Sequence, residues 1–241
     1  MRVDLDPAVI LHRRPYRDTS LLIDAFTRGY GRVGLVARGA RSPRARGRGL
    51  LEPMQPLRLS WRGRGELHTL AGTEAGGRLA WQGDGLYAGF YACELVLRVL
   101  ARDDAHVALF DRFAALLETL AGAVDPGPAL RLFERDLLAD LGYALPLTAE
   151  SATGEAVSAA GSYLFNPRAG LRADQGDKRP DDVAVGGAEL LALASGEVDD
   201  PARAPALRRL LAAALAPHLG GRPLQSSRTL QSLRRFQSEE S

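Results

Sequence analysis

The sequence predicts an α+β multidomain protein, in which a small five-stranded β-barrel precedes an all-α domain with an irregular insertion. Three observations support this fold class. Five short apolar segments with strand-like character lie in roughly the first eighty residues. From Asp84 the apolar residues recur at three and four instead of two, and the stretch 151–187 follows neither period. The predicted boundaries are therefore 1–80 for the barrel, 81–241 for the helical domain and 151–187 for the insertion.

The five predicted strands are short and are joined by connections rich in glycine and proline. The alternation is clearest where Leu57, Leu59 and Trp61 share one face of a segment and arginines occupy the other. The strands are predicted over residues 8–12, 20–27, 32–38, 57–62 and 67–73. Five strands of this length suit a small closed barrel such as the OB-fold.

Leucine and phenylalanine at helical spacing predict the second part of the chain. Asp103 or Asp104 is expected to cap the second helix, and Gly142 to end the third. The helices are predicted over residues 84–100, 107–120, 130–141, 188–194 and 207–215. The insertion is rich in Gly, Ala, Asp and Pro, with one apolar piece at 163–165, which predicts a loosely packed or partly mobile loop.

Charge is distributed unevenly, although the net charge of the 241 residues is only +2. Residues 1–80 contain 15 arginines against 7 acids, which leaves 16 of the 31 basic and 22 of the 29 acidic residues for 81–241. Only Lys178 is a lysine, so the preference for arginine is what a GC-rich genome produces and carries no functional information. The clustering does carry information, because the segment 27–48 holds seven arginines and no carboxylate.

A strand that leads into an arginine-rich loop suits a phosphate backbone, and OB-folds bind single strands through one barrel face and its loops. The alternative is a solvated arginine face in an arginine-biased proteome. The predicted DNA-binding residues are Arg13, Arg14, Arg32, Arg38, Arg41, Arg44, Arg46, Arg48, Arg58, Arg62 and Arg64. Base stacking would need Tyr16, Tyr30 or Trp61; alternation places Trp61 in the core, and Tyr30 is expected at an exposed turn.

Motifs for catalysis are missing from the sequence. It has no phosphate loop ending in Gly-Lys-Ser/Thr, no HExxH and no GxSxG, and its four histidines are scattered. Cys93 is the only cysteine, which excludes a disulfide framework within the chain and predicts a small buried apolar residue. We expect a protein that is not an enzyme and has no cofactor. Without an apolar run for a signal peptide or membrane helix, we expect it in the cytoplasm.

The motifs of the chain closely resemble the bacterial RecO family of recombination mediators. The resemblance starts in the predicted barrel with RPYRDTSLLIDAFT, GRVGLVARGAR, LEP and GRGEL, in the order and spacing of that family. It continues with LYAGFYACELVLRVL, PALRLFERDLLADLGY and HLGGRPLQSSRTL, and so covers nearly the whole chain.

The resemblance implies an N-terminal OB-fold, a helical C-terminal domain and a function that spacing alone does not show. RecO proteins bind single- and double-stranded DNA, anneal complementary strands, and with RecR help RecA load onto DNA coated by the protein SSB. They act in RecF-pathway DNA repair without hydrolysis, which implies a cytoplasmic, nucleoid-associated protein. An OB-fold RNA-binding or ribosome-associated protein is the alternative, and a metal-dependent nuclease is a third reading.

Two further expectations rest on this resemblance. Many RecO proteins carry a four-cysteine zinc site, whose positions here fall at Glu150, Thr153 and near Ala173 and Gly176. Since none is a cysteine, we predict no zinc and a poorly ordered insertion.

The second expectation concerns the acidic, aromatic tail of SSB, which family members bind in a pocket of the helical half. Such a pocket needs a cation beside an apolar recess. Arg131 matches a basic position of the family helix, and Phe110 and Leu138 are predicted to line the recess. The alternative is that Arg131 only coats its helix.

Overall fold

A computed structural model describes residues 1–42, 49–222 and 224–226 of the chain. Three predicted DNA-binding residues, Arg44, Arg46 and Arg48, lie outside the described residues. The chain divides into two compact units. The first contains Met1–Val124 and the segment from Leu224, and the second is Asp125–Pro223. The predicted domain boundary near residue 80 differs from the division between these two units, and it stays a prediction.

The first unit contains a closed five-stranded barrel in the order β1-β2-β3-β5-β4, with β1 pairing with β4 to close it. All pairings are antiparallel except that of β3 with β5. The strands are β1 (Arg2–Tyr16), β2 (Ser20–Thr27), β3 (Gly31–Ala37), β4 (Pro56–Arg62) and β5 (Leu67–Ala75). This is the OB-fold, so the predicted fold class is confirmed for this part of the chain.

Strand β1 is far longer than predicted, because it pairs with two neighbours in succession. Its first half pairs with β4 and its second half with β2, and the register shifts once in each ladder. Asp4, Asp6 and Pro7 interrupt the apolar alternation of the first half. The pattern therefore hides a strand segment that only the barrel closure reveals.

Inward-facing side chains of β1 to β4 fill the barrel together with Leu51, and the partly buried Leu70 of β5 packs against them. Trp61 is fully buried there, which confirms the prediction that it belongs to the core. Tyr30 lies at 37% exposure with its ring edge-on to Trp61, at 5.3 Å between centroids. The main core residues are Val3, Ala8, Ile10, Leu21, Ile23, Ala25, Val33, Leu35, Ala37, Leu51, Leu57, Leu59 and Trp61.

Two helices, α1 (Gly83–Val99) and α2 (Val107–Gly122), complete the first unit close to their predicted bounds. The predicted aspartate cap of α2 is wrong. His106 occupies the N-cap position without a side-chain cap, whereas Asp103 has a φ of 58° and donates its backbone N–H to the carbonyl of Arg32. Cys93 is buried in α1, as predicted, and burial raises the pKa of its thiol well above the usual range.

The segment 224–226 returns to the first unit and is held by Glu94 of α1. The Glu94 carboxylate accepts hydrogen bonds from the backbone N–H groups of Gln225 and Ser226, at 3.0 and 2.9 Å, and from the Ser226 hydroxyl at 2.7 Å. Partial burial by itself raises the pKa of Glu94, but these hydrogen bonds and Arg98 outweigh it and leave the pKa lowered. Glu94 therefore caps the backbone N–H groups of Gln225 and Ser226.

The second unit contains three helices, a short 3₁₀ segment and a three-stranded antiparallel sheet in the order β7-β6-β8. The helices are α3 (Gly127–Asp140), α4 (Gly187–Ser195) and α5 (Ala204–Leu215), and the 3₁₀ segment is Ala216–Leu219. The strands are β6 (Ser162–Asn166), β7 (Gly170–Ala173) and β8 (Val183–Gly186).

The sheet corrects two expectations, since the insertion 151–187 is not irregular and the part after the barrel is not all-α. The insertion has few apolar residues, but the sheet buries most of them: Tyr163, Leu164, Phe165, Leu171 and Val185 are all buried. Because successive side chains of a strand point to opposite faces, the three consecutive residues of β6 are covered on both sides of the sheet. Strands of four or five residues are too short for a period to stand out from the surrounding Gly and Ala. The sequence pattern therefore missed them.

A carboxylate organises the loop between β7 and β8. Asp182 is buried and accepts hydrogen bonds from the backbone N–H of Arg179, the Asn166 amide and the Arg172 guanidinium, each at 2.8 Å. Arg172 also pairs with Asp177. The bonds from Arg179 and Asn166, followed by the bond from Arg172, lower the pKa of Asp182.

We predict that Asp182→Asn lowers the thermal unfolding midpoint at pH 7, because an amide places donors against the donors that Asp182 accepts. A carboxyl with a depressed folded pKa stabilises above its unfolded pKa of about 3.9, and that stability is lost as pH falls through the folded value. The difference between wild type and variant should therefore narrow below about pH 4. A difference that is constant from pH 7 to pH 3 would contradict this role for the charge.

A close helix crossing gives a second prediction. A Cβ at Gly85 would lie 2.1 Å from the Leu120 carbonyl oxygen, whereas one at Gly122 would meet nothing within 4 Å. Gly85→Ala should force α1 and α2 apart and lower the free energy of unfolding by about 1–3 kcal/mol. The matched control Gly122→Ala should be neutral or stabilising by up to about 1 kcal/mol. Equal unfolding free energies in denaturant titrations would contradict the close packing.

Candidate nucleic-acid interface

The β1–β2 turn and the segment that follows β3 meet at one end of the barrel. The backbone N–H of Arg41 donates to the Thr19 carbonyl at 2.8 Å, and the Arg41 guanidinium donates to the Arg17 carbonyl at 3.3 Å. These bonds hold the start of the arginine-rich loop against the hairpin tip. Arginines that are distant in sequence thus come together on one surface.

A cleft of about 400 Å³ opens at this end of the barrel. Its apolar lining is contributed by Pro15, Leu21 and Ala40, and its charged lining by two strand arginines, a loop arginine and one acid. The charged residues are Arg13, Arg14, Arg41 and Glu52. An apolar lining among cations suits a nucleotide, which presents an apolar base face and an anionic phosphate.

The predicted arginines of this region differ in what they bind. Arg13 is committed to the protein, since it donates to the Leu51 carbonyl at 2.9 Å and pairs with Glu52 at 2.5 Å. Arg14, Arg38 and Arg41 are exposed. Within the described part of the chain no carboxylate pairs with any of these three, so their charge is available to a phosphate.

The arginines of the fourth strand form a separate group. Arg58 and Arg62 point outward from β4 and Arg64 lies in the β4–β5 turn, and all three are exposed. Arg58 and Arg62 pair with the first half of β1, where Arg62 is opposite Arg2. The cleft, in contrast, adjoins the last residues of β1. The structure therefore does not place this group in the cleft.

Arg32 lies elsewhere again, on the outer face of β2 and β3. Asp24 accepts from Arg102 at 2.6 Å and lies 3.8 Å from Arg32, which is largely buried. Burial, followed by the nearby charge of Arg102, lowers the pKa of Arg32. Asp24 holds Arg32 and Arg102 together against their mutual repulsion, so Arg32 is part of the internal structure of the unit.

Helix α2 covers the next part of the same face. The ring of Phe26, from β2, contacts Phe110 edge-on at 5.3 Å and Phe113 at 5.8 Å between centroids. Next to them, the Arg102 guanidinium lies over Gly34, where a Cβ would come within 2.1 Å of it. OB-folds commonly bind oligonucleotides on the face of strands 2 and 3. In this chain that face is occupied by its own side chains.

The three residues predicted for an SSB pocket belong to different units, Phe110 to the first and Arg131 and Leu138 to the second, and their joint role stays a prediction. Phe110 is 5% exposed against the barrel and Leu138 is 1% exposed in the second unit. The side chain of Arg131 is 12% exposed and donates to Glu134 at 2.8 Å, which makes an ion pair within its own helix. The second unit does have an apolar recess, lined among others by Ala188, Leu191 and Arg203, but none of the three predicted residues contributes to it.

The positions of the family's zinc site are held by hydrogen bonds. The Thr153 hydroxyl donates to Glu150 at 3.3 Å, and the N–H of Gly176 donates to Asp174 at 2.9 Å. Among the described residues, no three His, Cys, Asp or Glu side chains are grouped as metal ligands. The expectation that the chain binds no zinc stays a prediction.

One residue that the sequence reasoning did not select belongs to this interface. Arg17, at the tip of the β1–β2 turn, is exposed, and its guanidinium carbon lies 5.2 Å from the centroid of the Tyr16 ring. It stands within the RPYRDTS segment, where its position in a hairpin tip was the available signal.

Comparisons with known proteins place this chain in a family. Residues 1–76 match the family model "Recombination protein O N terminal", and residues 82–228 match "Recombination protein O C terminal". The chain belongs to the RecO family. The resemblance seen in its motifs is thereby confirmed over nearly the whole sequence.

Proteins named "DNA repair protein RecO" match this RecO-family chain along almost its full length. The protein of Nitrosococcus oceani is 47% identical over 238 residues, which cover 98% of this chain and 96% of the relative. That of Halorhodospira halophila is 43% identical over 95% of this chain and 97% of its own length. That of Ralstonia nicotianae is 40% identical over 98% and 86%. Among the described residues, no helix of this RecO-family member has both the length and the apolar character to cross a membrane.

The position of Phe110 yields a prediction that separates packing from partner binding. Phe110→Ala should lower the free energy of unfolding by roughly 3 kcal/mol, because it removes a buried ring between α2 and the barrel. Chemical denaturation would measure the loss. Exposed Phe90, on α1, is the control, since Phe90→Ala removes a ring of the same size from a surface position. A Phe110→Ala variant of wild-type stability would mean that the ring is free to serve a partner.

Proposed function

We propose that this RecO-family protein is a recombination mediator of the RecF pathway that acts without hydrolysing a substrate. It binds single- and double-stranded DNA non-specifically and anneals complementary strands. With RecR it helps RecA load onto single-stranded DNA covered by SSB, whose C-terminal tail it contacts. In this proposal the protein acts in the cytoplasm, at the nucleoid. Membership of the family supports these functions, which are known for RecO proteins.

The observation that carries the DNA-binding part is the group of exposed arginines without carboxylate partners at the cleft end of the barrel. Arg14, Arg38 and Arg41 come from β1 and from the segment after β3, and the bonds of Arg41 to the β1–β2 turn hold them in one region. Phosphates are contacted without regard to base sequence. The arrangement therefore favours non-specific binding.

Annealing follows from the same charge. Two single strands repel each other through their phosphates, and a protein that neutralises part of that charge lowers the repulsion. The apolar side chains between the arginines leave room for bases that are not yet paired. The second group of arginines, on β4 and its turn, offers a separate cationic surface for a second strand.

An RNA-binding or ribosome-associated OB-fold protein is the alternative. Phosphate contacts by themselves do not distinguish RNA from DNA, since that distinction needs contacts to the 2′-hydroxyl. Family membership favours DNA. Comparison of DNA and RNA strands of one sequence in the assay below decides between the two.

The central test removes together the three exposed arginines that have no carboxylate partner. Arg14→Ala/Arg38→Ala/Arg41→Ala should weaken binding to all DNA sequences alike, and the slope of log K against log salt should become shallower by about two to three units. The same variant should anneal complementary oligonucleotides more slowly, whether bare or coated with SSB. Binding is measured by fluorescence anisotropy at several salt concentrations, and annealing by energy transfer between labelled strands.

Two comparison variants make this test decisive. Arg168→Ala/Arg208→Ala/Arg209→Ala removes three exposed charges from the second unit and should leave the salt slope and the annealing rate unchanged. Arg58→Ala/Arg62→Ala/Arg64→Ala removes the second barrel group and should affect annealing more than single-strand affinity. An unchanged slope in the cleft variant would remove this cleft from the DNA site, and tight preference for RNA would overturn the proposed function.

A further inference from the structure

The tip of the β1–β2 turn combines three features, of which the proposed binding of phosphates uses only the last. Arg17 is exposed and lies over the ring of Tyr16. Its backbone has a φ of 52°, which glycine and asparagine adopt far more readily than arginine. Its carbonyl accepts the hydrogen bond from Arg41, so the turn is tied to the cationic cleft.

The other aromatic residues named as stacking candidates are used by the fold. Trp61 is inside the barrel, and Tyr30 is packed edge-on against it. Tyr16 is half-buried and is therefore fixed in place, while Arg17 above it faces solvent. A guanidinium supported by an aromatic ring presents a flat cationic plane, on which a nucleobase stacks well.

We propose that Tyr16 and Arg17 form a base-stacking site that makes this end of the barrel selective for single strands. An unpaired base stacks on the Arg17 guanidinium, and the neighbouring phosphates of the same strand meet Arg14, Arg38 and Arg41. This inference rests on the proposed DNA binding and assigns a distinct role to two residues beside it.

Selectivity follows from the state of the base. In a duplex both faces of a base are covered by its neighbours, so the Arg17 plane finds no partner there and only phosphates remain to be contacted. In a single strand the base is free to leave its neighbours, and stacking on protein side chains is tolerant of sequence. The turn therefore adds affinity to single strands and little to duplexes.

The test compares variants that separate the plane, its support and the charge. Arg17→Lys keeps the charge and loses the planar group, and Tyr16→Leu keeps an apolar side chain and loses the ring. Both should weaken binding to single-stranded DNA by about fivefold or more and change duplex affinity by less than twofold. Tyr16→Phe, which keeps the ring, should bind as wild type does.

A 2-aminopurine base in the oligonucleotide reports stacking directly, since its fluorescence is quenched when it stacks. Quenching should be strong with wild type and Tyr16→Phe and weak with Arg17→Lys and Tyr16→Leu. Arg17→Gly accommodates the positive φ without strain and checks that losses do not arise from a misfolded turn; it should unfold like wild type and still lose quenching.

Three outcomes would overturn the inference. Full single-strand affinity in Arg17→Lys would make Arg17 a simple phosphate contact. Equal losses of affinity for single strands and duplexes would make the whole turn a simple phosphate contact. The same conclusion would follow if the quenching of 2-aminopurine were equal in wild type and all four variants. Failure of the proposed function looks different, because wild type would then bind neither single strands nor duplexes.

Discussion

Strand β2 is buried on both of its faces, and this burial limits where exposed charge can lie on the barrel. One face, with Ile23 and Ala25, fills the barrel, and the other meets α2 through Phe26 and Arg102 through Asp24. A barrel strand that is covered outside as well as inside has no surface left for a ligand. The chain thus uses the usual OB-fold ligand face to attach its first helices, which moves the available cationic surface to the β1–β2 end and to β4. Without the helices, Phe26 would be exposed and the Asp24 carboxylate would keep Arg32 as its partner but lose Arg102. The helices therefore stabilise the barrel.

The same constraint explains why arginines that look alike in the sequence have different roles. Arg32 and Arg38 stand six residues apart around one strand, yet Arg32 lies beside Asp24 and is largely buried, whereas Arg38 is exposed beyond the strand end. Arg13 and Arg14 are adjacent in β1, and alternation sends them to different surroundings: Arg13 to Glu52 and the Leu51 carbonyl, Arg14 to solvent. A partly buried ion pair mainly satisfies its own groups, so such arginines add little field outside the protein. Whether an arginine keeps its charge available to a ligand thus depends on where it lies relative to the acids, and the composition of the sequence does not show this.

This distinction marks how far the sequence alone could lead. The period of apolar residues predicted β2 and all five α-helices to within a few residues, because side chains such as Leu22, Ile23 and Phe26 report burial directly. It missed the first half of β1 and the strands β6–β8, whose residues are ordered by pairing across the chain rather than by a local period. The candidate site was predicted by charge clustering, which selected the exposed Arg14, Arg38 and Arg41 together with Arg32 and Arg13, which lie beside acids. Arg17 escaped notice because its significance lies in its contact with Tyr16 and in its tie to Arg41, and neither is a pattern of residue types.

The insertion in the second unit shows how a fold holds a loop when the cysteines of a family metal site are not there. Ser151, in the turn that carries Glu150 and Thr153, accepts and donates with Leu171 of β7, through its hydroxyl at 2.8 Å and its backbone N–H at 2.9 Å. The opposite loop is held by Asp182, whose carboxylate accepts hydrogen bonds from three partners, Arg179, Asn166 and Arg172. Tetrahedral zinc draws its stability from deprotonated thiolates and is removed by chelators. A carboxylate network instead weakens when its acid is protonated, so we expect low pH to destabilise this part of the second unit.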